Sequence, residues 1–189
     1  MKKTLLLAGV ATALFSLNAN AIEFKPYVGA DYVYDDLGMK SDFDAAIQTK
    51  YNSFKIDLGA RLHKNFGLEG FYQQSGEEHQ SYEGILGVSS EFKAYGVDAI
   101  GYLPLTDKLE GLGSIGLAKY DFEIDADLLG YEFEGSEENW GVRLGLGLQY
   151  NITDNVAING MARYIKIDDS SDDVVEDMTE LSVGARYSF

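Results

Sequence analysis

Two histidines are all the imidazole this 189-residue chain has, and their neighbours decide what chemistry they could do. His79 and Ser81 stand two apart, and residues two apart share one face of a strand. Glu77, Glu78 and Glu83 flank them, and a carboxylate can orient an imidazole toward a hydroxyl, as in Ser–His–acid hydrolysis. His63 has Lys64 and Asn65 beside it and reads as a solvated turn residue. The other candidates are acidic. Asp121, Glu123, Asp125 and Asp127 alternate, as do Glu132 and Glu134, while Asp168, Asp169, Asp172, Asp173, Glu176 and Asp177 form a second cluster. Carboxylate oxygens suit Ca²⁺ or Mg²⁺, so divalent cations at these acidic loops are a candidate partner. The spacing lacks the Gly and closing Glu of an EF-hand, and a run of like charge is most simply a solvated surface. With no Cys, no Cys/His metal spacing and no phosphate-cradling or dinucleotide fingerprint, no cofactor is expected.

The elements that must position these residues are bounded by composition. Met1-Lys2-Lys3, an apolar run from Leu5 to Leu17, and Ala19-Asn20-Ala21 are the parts of a secretory signal peptide. Residues 1–21 are expected to be that leader and 22–189 one domain. No later stretch reaches the ~18 apolar residues of a membrane helix, so the mature chain either is soluble or crosses a membrane as strands. Export without cysteine excludes a disulfide scaffold. The 21 Gly, 13 Tyr and 10 Phe against 2 Pro suit a sheet protein. The formal charge of −16 becomes −18 once Lys2 and Lys3 leave, and such a chain is repelled by the phosphates of nucleic acid.

Period-two alternation runs through most of the remainder. Phe54, Ile56, Leu58, Ala60 and Leu62 oppose Ser53, Lys55, Asp57, Gly59 and Arg61. Trp140, Val142, Leu144, Leu146, Leu148 and Tyr150 oppose Gly141, Arg143, Gly145, Gly147 and Gln149. Leu181, Val183, Ala185, Tyr187 and Phe189 oppose Glu180, Ser182, Gly184, Arg186 and Ser188. Strands are expected over 24–34, 53–62, 66–74, 91–103, 109–120, 140–150, 156–167 and 179–189, the fifth too Gly-rich for its faces to be assigned. The connections alternate long and short. The long ones, 35–50, 75–90, 121–138 and 168–178, take His79, Ser81 and the acidic clusters into loops. This rhythm predicts an all-β fold, an eight-stranded antiparallel up-and-down transmembrane β-barrel, with both termini periplasmic and four loops outside.

Two features set the polar face inside and the apolar face toward lipid. The polar face is crowded with Gly29, Gly59, Gly67, Gly141, Gly145, Gly147 and Gly184, which suits the narrow interior of eight strands. Its charges nearly cancel: Lys25, Lys55, Arg61, Arg143, Arg163 and Arg186 against Asp31, Asp57, Glu69, Asp98 and Glu180. Buried charges must be paired, so these are expected to form a lumen charge network. Tyr32, Tyr34, Tyr72, Trp140 and Tyr164 fall near the loop-side strand ends and Phe24, Phe66, Tyr150, Tyr187 and Phe189 near the turn side, as two aromatic girdles would.

On Pro26-Tyr27-Val28-Gly29-Ala30, Tyr95-Gly96-Val97-Asp98-Ala99, Gly101-Tyr102-Leu103-Pro104-Leu105 and Ala185-Arg186-Tyr187-Ser188-Phe189, the chain resembles the small eight-stranded outer-membrane barrels. These comprise the OmpA/OmpX-type transmembrane domains and the broader outer-membrane β-barrel family. The resemblance implies the outer membrane of a Gram-negative bacterium, with lipid and lipopolysaccharide around the wall. It also implies a barrel-assembly machinery that reads the terminal aromatics Tyr187 and Phe189. Unlike full-length OmpA, no peptidoglycan-binding domain is expected after the last strand. Family members include membrane-organising proteins, adhesins and narrow channels. The expected function is therefore non-enzymatic, envelope-structural or surface-interacting through the loops, with a low-conductance porin-like channel as the alternative. A third reading is a lipid-modifying enzyme, since His79-Gln80-Ser81 is similar to the outer-membrane lipid A deacylases. A loop position argues against it, because a lipid-cutting site should project from a strand into the bilayer.

Overall fold

The computed structural model describes residues 24–39, 50–76, 78–82, 86–128, 131–167 and 175–189, and these form strands and tight turns with no helix. The strands are β1 (Lys25–Met39), β2 (Lys50–His63), β3 (Phe66–Ser75), β4 (Glu78–Tyr82), β5 (Leu86–Pro104), β6 (Leu109–Leu128), β7 (Tyr131–Asn151), β8 (Val156–Ile167) and β9 (Val175–Ser188). Every neighbour pair is antiparallel, in the order β3-β2-β1-β9-β8-β7-β6-β5, and β5 pairs back onto β3. Beyond Gly76, β4 takes up the place of β3 beside β5, so nine segments fill eight positions of a closed barrel.

The register sets the tilt. Starting at Val28, the row of directly paired residues runs Leu58, Gly70, Val97, Leu117, Val142, Lys166 and Asp177, and returns to β1 at Gly38. One circuit therefore climbs ten residues, from 28 to 38. At about 3.3 Å per residue and about 4.8 Å between eight strands, the strands lean about 40° from the axis. Residues distant in sequence thereby meet at one depth of the lumen.

Three tight turns close one end. Lys64–Asn65 joins β2 to β3. Leu105-Thr106-Asp107-Lys108 and Ile152-Thr153-Asp154-Asn155 share one design. The Thr106 hydroxyl accepts from the amides of Lys108 and Leu109 at 3.3 and 3.0 Å, and Thr153 does the same for Asn155 and Val156. A side-chain oxygen bonded to the backbone two and three residues on is what makes threonine a turn former.

The strands run further than alternation of greasy residues indicated. Residues 121–128 and 131–138, expected within a connection, continue β6 and β7 as paired strands, in which Asp121 is the register partner of Glu138, Asp125 of Glu134 and Asp127 of Glu132. His79 and Ser81, expected in a loop, lie on β4 and pair with Ser89 and Gly87. Charge misled here because outside a bilayer a strand can carry acids along one edge of its pleat as readily as a loop can. Residues 1–23, 40–49, 77, 83–85, 129–130 and 168–174, with the expected leader, Glu77, Glu83 and much of the second acidic cluster, lie outside the described residues.

Candidate functional site

Polarity divides the wall. Facing out between the two ends are Leu58, Val97, Ile115, Leu144, Leu146 and Val183, exposed by 52–75% in the isolated chain, with Leu146 highest at 75%. Facing in are Lys55, Glu69, Asp98, Arg143, Arg163 and Glu180, each nearly inaccessible. An outward apolar belt around ionised groups is the inverse of a soluble barrel and fits a surround of hydrocarbon.

The lumen is built in layers. At the short-turn end, Arg61 grips the Glu110 carboxylate with two nitrogens at 2.7 and 3.2 Å, donates to the Lys64 carbonyl, and lies 4.2 Å over the Tyr102 ring. Gln149 and Asn151 donate to the same Glu110 oxygen. Here a cavity of about 280 Å³ opens, walled in part by Lys25, Tyr27, Arg61 and Arg186. Lys25, expected inside, is exposed at this rim.

Above it, Arg186 binds Glu69 at 2.5 Å and covers the Tyr27 ring at 4.2 Å, while the Tyr27 hydroxyl donates to Glu69 at 3.0 Å. Lys55 sits 2.6 Å from Asp31 and 3.6 Å from Glu69. Asp57 is held at longer range, 3.8 Å from Arg186 and 4.0 Å from Lys55. The next layer is a quartet. Arg163 and Arg143 contact Glu180 at 2.5 and 3.2 Å and Asp98 at 3.8 and 3.3 Å. Ser182 accepts from Arg163 and Tyr120 from Arg143, and the Arg143 guanidinium stacks 4.0 Å from the Phe71 ring. Two cations and two carboxylates balance in charge here, and the looser contacts to Asp98 leave both its oxygens and the Nε atoms of Arg143 and Arg163 without a hydrogen bond among the described residues.

Glycine makes room for this. Asp57, Asp98 and Asp31 are register partners of Gly29, Gly116 and Gly184 respectively. In each pair the carboxylate lies where a Cβ on the glycine would stand.

Of the eleven charged residues expected inside, ten lie on the inner wall, Arg61 being half-buried and the other nine buried, while Lys25 is the exception. Two inner carboxylates were missed. Asp35 fell in a span expected to be a connection, and Glu110 in the strand whose faces were unassigned. The described lumen therefore holds seven carboxylates, at positions 31, 35, 57, 69, 98, 110 and 180, against Lys55, Arg143, Arg163, Arg186 and half-buried Arg61. The balance is looser than expected. Neutral donors compensate: Ser53 and Gln73 serve Asp35 at 2.5 and 3.1 Å, and Asn159 serves Asp31 at 3.2 Å.

The largest surprise lies at the long-strand end. Leu37, Tyr51, Phe92, Ile165, Ile167 and Met178 form one buried apolar cluster inside the barrel, with Tyr51 and Phe92 edge to face at 5.7 Å. Their sequence neighbours Asp36, Lys50, Lys166 and Asp177 lie on the opposite parity. Polarity inverts because the wall there has left hydrocarbon for water, and the soluble-protein rule returns. An apolar collar thus caps a polar lumen.

The side chains of the His79–Ser81 candidate lie outside the described residues, and only the backbone placement of those two residues is described. The His63 ring accepts from the Asn65 amide at 3.3 Å, as a turn residue would. His79 pairs with Ser89, six residues past Tyr95 along β5 and beyond the apolar belt. Among the described residues no group of three or more His, Cys, Asp or Glu is placed to hold a metal.

Comparison with known proteins agrees with this architecture. Residues 4–189 match the family described as outer membrane protein beta-barrel domain. An uncharacterized protein of Haemophilus influenzae is 28% identical over 194 residues, covering 100% of both chains. Among solved structures, Neisserial surface protein A superposes with a TM-score of 0.66 at 20% identity, over 87% of this chain and 97% of its own. Ail of Yersinia pestis gives 0.62 at 18%, over 88% and 99%. The N-terminal barrel of Pseudomonas aeruginosa OprF gives 0.55 at 16%, over 87% and 100%. At such identities the structures speak for the fold alone, and the family match over nearly the whole chain carries the assignment. The chain belongs to the outer membrane protein beta-barrel domain family and is a closed eight-stranded barrel of the bacterial outer membrane.

Proposed function

We propose that this barrel is a non-enzymatic protein of envelope structure or surface interaction, working through its long-strand end outside the cell rather than through its lumen. The observation that carries this is the apolar collar of Leu37, Tyr51, Phe92, Ile165, Ile167 and Met178 over a paired, ionised interior. A narrow apolar constriction sheds water, and ions do not pass where water does not. In this reading residues 1–21 are a cleaved leader, both termini and the three tight turns are periplasmic, and the four longer connections are extracellular. Tyr187 and Phe189 present the terminal aromatics that the barrel-assembly machinery reads. Both are exposed and pack edge to face at 5.3 Å, available to such a reader.

The outer partner is cationic or cation-bridged. Ail of Yersinia pestis has been crystallised with the heparin analogue sucrose octasulfate, a polyanion. The acidic β6–β7 hairpin here would repel such a ligand and favours basic surfaces, or lipopolysaccharide bridged by divalent cations. Planar-bilayer recording of the folded protein tests the closed lumen. It is expected to give no persistent unitary current. Persistent currents abolished by altering Arg143 or Glu69 would instead establish the low-conductance channel.

A further inference from the structure

The outer wall carries a hollow of about 650 Å³ on the β2–β3–β5–β6 side. Its floor is Gly70, whose outward position is empty: a Cβ built there meets nothing nearer than 3.9 Å. Leu58, Val97 and Leu117, on the same register row, form the apolar sides. The next row toward the long-strand end reads Tyr72, Tyr95, Lys119, Trp140, each directly paired with the one before it. The row after that reads Gln74, Lys93, Asp121, Glu138. Within three rows the wall passes from aliphatic to aromatic to ionic. Hydrocarbon chain, interfacial region and charged headgroup follow in that order along a lipid.

The ionic rim is held in place. Lys119 is ion-paired with Glu138, Lys93 stands 3.5 Å from Glu91, and Gln74 donates to Glu91 at 2.8 Å. An ammonium has three donors, so one carboxylate does not saturate Lys119. From Gln74 on β3 to Glu138 on β7 the rim crosses three strand spacings, about 14 Å. It presents carboxylate acceptors beside lysine donors over that width. A lone phosphodiester would be repelled by the acids on either side of the lysines. A headgroup with phosphate for Lys119 and several hydroxyls for Glu91, Asp121 and Glu138 fits both signs and the span.

We propose that this hollow is a specific site for a phosphorylated glycolipid of the outer leaflet, with one acyl chain seated over Gly70 and a phosphate on Lys119. The proposal rests on the membrane-spanning reading and adds to it one seat among the many positions lipid could take around the wall. Gly70→Leu fills the floor with a side chain that points to lipid and leaves the lumen untouched. Lys119→Ala removes the phosphate donor. Gly113→Leu is the control, filling a second outer-wall hollow of about 780 Å³ that has no such row of aromatics and lysine above it.

Wild type and variants are purified from outer membranes in mild detergent, checked for the heat-modifiable gel mobility of a folded barrel, and weighed intact by native mass spectrometry. Wild type and Gly113→Leu are expected to retain about one glycolipid per barrel. Gly70→Leu is expected to lose it at least five-fold, and Lys119→Ala to lose it in part. Delipidated wild type is then offered purified phosphorylated glycolipid or phosphatidylethanolamine, and only the former is expected to rebind. Equal retention in all four proteins, equal loss in Gly113→Leu, or rebinding of the phospholipid alone would overturn the site. A folded, detergent-dependent barrel in every lane would leave the membrane-spanning reading intact, so the two failures are separable.

Discussion

Glu180 holds the inner quartet together, and replacing it with Gln puts a number on the ion-paired lumen. Its oxygens lie 2.5 Å from Arg163 and 3.2 Å from Arg143, and all four side chains of the quartet are 0% exposed. Glu180→Gln leaves two buried guanidiniums sharing Asp98, which stands 3.3 and 3.8 Å away. Stripping one partner from a buried pair costs about 3–5 kcal/mol, and one uncompensated charge held between two guanidiniums places this variant at about 5 kcal/mol. Arg163→Met is milder, near ~3 kcal/mol, because Arg143 still reaches both carboxylates. The double variant leaves Arg143 with Asp98, one cation and one anion. It should therefore cost well under the ~8 kcal/mol sum of the singles, with a coupling of about 2–3 kcal/mol. Urea unfolding in phospholipid vesicles, followed by the single tryptophan Trp140, measures all three. Additivity to within about 0.5 kcal/mol would refute the quartet as an interacting unit.

Three further outcomes follow from the same geometry. Gly116→Ala places a methyl group where the Asp98 carboxylate lies, and should lower stability by about 1–3 kcal/mol in the same vesicle assay, whereas Gly113→Ala, open to lipid, should change it little. Making the collar polar with Phe92→Ser and Ile165→Ser together should give unitary currents in planar bilayers, while the charge-conserving pair exchange Arg163→Glu with Glu180→Arg should not. The opposite pattern would locate the barrier in the ion pairs. Removing Phe189 should slow assembly into membranes carrying the assembly machinery. Spontaneous folding into thin-lipid vesicles should proceed as before, since Phe189 lies at the rim with its amide bonded to the Pro26 carbonyl at 3.0 Å.

The strands inside the belt were legible because hydrocarbon on one side and a packed lumen on the other impose strict alternation. Val156–Ile167 was expected and found with the same bounds, and Lys55, Asp57, Arg143 and Arg186 were placed on the inner wall from parity alone. The upper strands were not legible, because the rule that reads them changes at the lipid boundary. In β8 the inner parity runs Asn159, Met161, Arg163 and then Ile165, Ile167, while Lys166 takes the outer side. That reversal was a usable signal for the collar. Weighed as charge content alone, it read as the approach to a loop. β6 failed for another reason: Gly111, Gly113, Ser114 and Gly116 put small residues on both faces, which hid Glu110 as a lumen acid. Asp31 has its cation close because Lys55 is its direct partner on β2, whereas Asp57 meets Arg186 only across Gly29; that pairing is set between strands, and no single strand encodes it.

The claim beneath all of this is that outward positions in the belt meet lipid and inward ones meet neither lipid nor bulk water. Quenching of single tryptophans tests it most directly. In a Trp140→Phe background, one tryptophan is placed outward at Leu146 or Val183, or inward at Phe71. In vesicles of brominated lipid, the tryptophans at 146 and 183 should be strongly quenched and the one at 71 spared, with iodide in the buffer quenching none of the three. Iodide reaching positions 146 and 183 while brominated chains do not would contradict the account.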